Sequence, residues 1–146
     1  MTSESGFREP MNGAATGESA VRSLSIISGE LTETIRKAHL ALEDCVDGQG
    51  GTAALVRTGE LLHQARGALL VSEKYGAALL VEEMEQACEY LSTLRAGSGR
   101  NDGLDALTRA MVHLPVYIES LLAGGRDIAL VLLPLLNDLR AARGEP

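Results

Sequence analysis

Between about Ser23 and Asp47, Leu24, Ile27, Leu31, Ile35, Ala38, Leu42 and Cys45 recur at steps of three and four, while Glu30, Arg36, Lys37 and Glu43 fall outside the series. A period near 3.6 gathers these apolar residues on one stripe of an α-helix and scatters them over both faces of a strand. The same spacing returns further along the chain. Aromatic residues make up only 3% of the sequence and hydrophobic residues 45%, with no tryptophan. The core must therefore be built from Leu, Ala, Val and Ile, side chains that fill helical ridges and grooves. An all-α fold follows, and 146 residues suffice for one domain with one core.

Residues 1–20 are rich in Ser, Gly, Thr and Glu, include Pro10 and show no periodicity, so they read as a flexible tail ahead of a helical bundle over residues 21–143. Gly48, Gly50 and Gly51 end the first helix. Thr52 is placed to cap a second, with Leu55, Gly59, Leu62, Ala65 and Leu69 on its buried side. The adjoining stripe is Val56, Glu60, His63, Gly67 and Leu70. The segment SEKYG (72–76) reads as a turn or an irregular extension. A third helix is expected over Ala77–Arg95, with Leu80, Met84, Ala87, Cys88, Leu91 and Leu94 inward and Glu82, Glu83, Glu85 and Glu89 outward. AGSGRNDG (96–103) reads as a loop whose Asp102 caps a fourth helix, Leu104–Leu122, which Pro115 should kink or split. Asp127 is placed to cap a fifth, Ile128–Ala142. Short connections favour an up-and-down antiparallel four-helix bundle with the additional C-terminal helix along one side. The chain closes on GEP in a polar stretch, which reads as a boundary inside a longer protein.

Several functional classes are disfavoured. A net charge of -7 leaves no basic face for nucleic acid or an anionic membrane. No stretch reaches the roughly 20 apolar residues of a membrane span, and the N-terminus has no secretory pattern. Cys45 and Cys88 lie in helical stripes and read as reduced, buried thiols of a cytoplasmic protein. His39, His63 and His113 fall on three different helices without HxxxH, HxxE or CxxC spacing, so no metal site is expected. There is no GxSxG, and GQGGT lacks the lysine of a phosphate loop. Neither a cofactor nor autonomous catalysis is expected.

The informative local feature is LLHQARG, Leu61–Gly67. Helical spacing sets Arg66 and Gly67 one turn beyond His63. A neutral imidazole is a competent nucleophile near neutral pH. Phosphoryl transfer is dominated by positioning and charge stabilisation, so a cation one turn away can contact the phosphoryl oxygens. A glycine inside a helix costs about 1 kcal/mol. Gly67 makes sense as the removal of an obstruction to a partner descending on the helix. His39 and His113 read as ordinary surface or boundary residues.

These residues resemble a family. His63-Gln64-Ala65-Arg66-Gly67 is similar to the HxxKG signature of histidine phosphotransfer domains, with Arg66 in the place of the lysine. The run Leu61–Gln86 more specifically resembles the N-terminal phosphotransfer-like domain of the hybrid histidine kinases of type IV pili (ChpA or PilL type) and the related FimL-type scaffolds. The sequence departs from the usual pattern in two places: Gly67 and Gly76 are nine apart, where about six is usual, and Ala68, Leu69 and Leu70 are bulkier than the small, polar residues usual there.

The resemblance implies a module of a chemosensory two-component system governing twitching motility. His63 is then the candidate phospho-acceptor of a phosphorelay. Arg66, Gly67, Gln64, Glu60 and Leu70 form the phosphate- and receiver-docking surface, and the partner is a response-regulator receiver domain or a polar scaffold protein. The alternative is a phosphorylation-independent docking domain, and a third reading is a helical spacer or dimerisation domain.

Overall fold

The computed structural model describes residues 3–145, with side chains described for residues 25–145. Among the described residues there are five α-helices and no strand: α1 (Ser3–Val46), α2 (Gly51–Val71), α3 (Tyr75–Ser92), α4 (Ser98–Leu122) and α5 (Ala129–Ala142). Helix α1 packs on α2, α2 on α3, α3 on α4, and α4 back on α1, while α5 lies against α3 and α4. The shared interior is aliphatic. Leu42, Leu55, Leu62, Leu69, Leu80, Met84, Leu107, Met111 and Leu114 are all buried within it.

The stripe expected for α1 is buried from Leu31 through Ile35, Ala38, Leu42 and Cys45. Helical backbone nevertheless begins at Ser3, about twenty residues ahead of the expected start. The expected tail over 1–20 falls on residues whose side chains lie outside the described ones. Gly48, Gly50 and Gly51 take φ of 80°, 84° and 53°, which turns the chain between α1 and α2.

Several local expectations are corrected. Thr52 is inside α2, whose N-cap is Gly50 without a side-chain cap bond. The expected loop 96–103 is mostly helix, α4 starting at Ser98 and taking in Asp102, so Asp102 does not cap it. The glycine that suggested a loop, Gly103, is a packing residue: a Cβ there would stand 2.3 Å from Leu91 Cδ2, and its absence lets α4 approach α3. Of the kink or split expected at Pro115, the split does not occur, since Pro115 lies inside a continuous α4.

Asp127 is not the cap of α5, which is preceded by Ile128 without a side-chain cap. Its Oδ2 accepts the Gly76 N–H at 2.8 Å, and its Oδ1 accepts the Tyr117 hydroxyl proton at 2.5 Å. It therefore satisfies one of the orphan donors of the α3 N-terminus from across the bundle. Burial, and then the Asp127 carboxylate, pushes the Tyr117 hydroxyl up to about 12. Glu83 was expected outward and is instead 5% exposed. The fifth helix covers it, with Arg140 Nε at 3.2 Å and Arg143 Nη2 at 2.8 Å from its carboxylate.

Candidate functional site on the α2–α3 face

Helix periodicity leaves His63 at the edge of the α2 face that packs on α3, with Leu62 buried on one side and Gln64 exposed on the other. Its side chain is 67% exposed. Nδ1 lies 2.8 Å from Glu85 Oε1 on α3. A carboxylate only accepts, so this contact requires a proton on Nδ1 and makes Nε2 the basic nitrogen of the neutral ring. Arg66 Nη2 stands 3.0 Å from the same Nδ1, and a protonated Nδ1 cannot accept from it. The charge-assisted bond to Glu85 is the stronger of the two.

Arg66 is held by acids on α3. Its Nε is 2.7 Å from Glu85 Oε2 and its Nη1 4.0 Å from Glu82 Oε1. The Nε contact is an ion pair without hydrogen-bond alignment, and Oε2 has no other donor. One carboxylate thus orients both residues that the sequence singles out. Glu85 is only 16% exposed, although the sequence assigns it to the outer face with Glu82, Glu83 and Glu89. No signal within α3 marks it. Finding it requires the register of α3 against α2, which a one-helix period does not contain.

The other expected residues divide into two groups. Glu60 and Gln64 line a cleft of about 560 Å³ between α2 and α3, together with Val56, Gly59, His63, Glu85 and Cys88. At Gly59 an added Cβ would sit 3.4 Å from the Cys88 Cβ, an ordinary van der Waals contact, so the approach of the two helices does not require glycine there. Burial, with smaller contributions from Cys45 and Glu85, pushes the Cys88 thiol up to about 12 and so suppresses its thiolate. Gly67 and Leu70 extend the surface beyond His63 toward the end of α2. Gly67 is exposed and nothing lies within 4 Å of an added Cβ; Leu70 is 45% exposed.

Electrostatically the face is acidic, with Glu60, Glu82, Glu85 and Glu89 around one arginine that is already paired. Among the described residues no cluster of three or more His, Cys, Asp or Glu could hold a metal ion, and no helix is long and apolar enough to cross a membrane. The arrangement can do two things chemically. It can present an oriented, exposed imidazole, and it can offer an unobstructed helix face with an apolar patch beside it.

No protein-family model matches the chain, and no solved structure matches it. The chain is homologous to the scaffold protein FimL of Pseudomonas aeruginosa, 34% identical over 124 residues that make up 85% of this chain but only 22% of FimL.

Proposed function

We propose that this chain is a docking module of a FimL-type scaffold, using the α2–α3 face around Gly67 and Leu70 to hold a signalling protein by contacts that do not require phosphate. Its helices then form the up-and-down bundle of the phosphotransfer type, with α5 as an addition. The observation that carries this reading is the state of Arg66: Glu85 at 2.7 Å already neutralises the cation that would meet a phosphoryl group. The acidic ring around His63 also opposes the acidic active site of a receiver domain, whereas an open glycine next to an exposed leucine suits a protein surface. The resemblance to pilus kinases and scaffolds makes a polar scaffold protein of the type IV pilus chemosensory pathway, or a receiver domain held by a surface away from its acidic active site, the natural partner class.

A second reading is favoured by one specific observation, the exposed His63 ring fixed through Nδ1 by Glu85. In that reading Nε2 attacks the phosphorus of a receiver phospho-aspartate. The P–O bond to the aspartate breaks, the carboxylate leaves, and phosphohistidine forms while the Nδ1 proton stays on the Glu85 side. Two substitutions separate the readings. Partner binding unchanged in His63→Gln and lost in Gly67→Leu supports docking. Acid-labile phosphate on the wild type, absent in His63→Gln after incubation with a phosphorylated receiver, overturns it in favour of the relay.

A further inference from the structure

The first half of α5 carries no charge from Ile128 to Leu136. It buries only one line of residues, Leu132 and Leu136, which Leu139 continues. Leu130 is 74% exposed and Val131 64%. On α4, Val112 and Val116 are also exposed, at 52% and 67%. Arg109 reaches Asp138 at 3.8 Å and Tyr117 reaches Asp127, so the α5 number falls as the α4 number rises and the two helices run antiparallel. Val112 and Val116 follow Arg109 on the same face of α4, at steps of three and seven. That register sets Val131 beside both of them, and the exposed side chains form one continuous patch. Its apolar area is on the order of 500 Å², as large as the largest patch of a typical monomer and of the kind that marks an interaction site.

We propose that this patch pairs with the same patch on a second copy of the chain, α5 against α5 about a twofold axis. Two arguments on the molecule favour a second copy. An isologous contact uses each patch twice, which brings the buried apolar area to about 1,000 Å², where specific interfaces begin. Charge also agrees. The net charge of -7 sets copies against one another everywhere except on an uncharged face such as this one.

The pairing leaves the α2–α3 face open. On α3, Glu83 points to α5 and Glu85 to His63, roughly opposite directions around one helix. A dimer therefore displays two His63 faces at once, and a partner with two binding sites gains avidity without any new contact.

Sedimentation equilibrium of the 146-residue chain over a micromolar concentration range tests this. A reversible dimer is expected. Leu130→Glu, at a position too exposed to affect folding, raises the dissociation constant at least about 100-fold because it buries an unpaired charge. A wild-type chain that stays monomeric throughout overturns self-pairing and assigns the patch to a different protein. A dimer that survives Leu130→Glu overturns the geometry.

Discussion

Replacing Gly67 by alanine should make the protein more stable. The position lies inside α2, its φ is not in the left-handed region, and an added Cβ meets nothing within 4 Å. No steric penalty therefore opposes the gain in helix propensity, which is about 0.8–1.0 kcal/mol for glycine to alanine in a helix interior. Part of that gain arises in the unfolded chain, which has fewer conformations to lose. Gly67 is four residues from the end of α2, where fraying trims the effect, so about 0.5–1 kcal/mol is the working figure. For a chain of this size it raises Tm by about 2–4 °C. Urea denaturation followed by circular dichroism measures it as a higher midpoint at unchanged slope. Gly103→Ala is the contrasting control, because its Cβ would stand 2.3 Å from Leu91 Cδ2, and overpacking of this kind costs about 1–3 kcal/mol. A Gly67→Ala protein no more stable than wild type would refute the reasoning, since the glycine would then be serving the fold and not a partner.

Further outcomes follow from other contacts. Glu83→Gln should destabilise by about 1–3 kcal/mol and speed amide exchange selectively in α5, because it leaves Arg143, 16% exposed, beside an uncharged group; the figure is kept modest because Arg140 is 44% exposed and screened. Tyr117→Phe should cost about 1 kcal/mol by removing the donor to Asp127. The raised Tyr117 pKa means that the neutral phenol is favoured in the folded state: its contribution is complete below pH 10 and is lost as pH rises from there through about 12, a loss that Tyr117→Phe should abolish in stability-versus-pH curves. His63→Gln should change stability by no more than about 0.5 kcal/mol, since the ring is 67% exposed. Cys88 should resist thiol-specific reagents in the native protein and react on unfolding, as mass spectrometry of the modified chain can read.

Residues with a one-helix explanation were legible in the sequence. The α1 stripe from Leu31 to Cys45, the burial of Leu55, Leu62, Ala65 and Leu69, and the exposure of Glu60, His63 and Gly67 all follow from a 3.6-residue period. Local punctuation was less dependable. Gly103 looked like a loop and is a close approach between helices, and Asp127 looked like the cap of α5 and holds the start of α3. In both cases the residue type marks a special position, but the partner that makes it special lies on another helix, beyond the reach of a local pattern.

The same division runs through the candidate site. By itself the sequence determined that the chain is helical and aliphatic in its core, and that an imidazole, a cation and a glycine share one side of α2, because covalent spacing and helix geometry fix which side chains are neighbours along a helix. Only the tertiary structure decided that Glu85 of α3 binds both His63 and Arg66, that Glu83 is buried beneath Arg140 and Arg143, and that half of α5 remains apolar and uncovered. Those outcomes depend on the rotation and register of one helix against another, which are set by the packing of all five together and by no single segment.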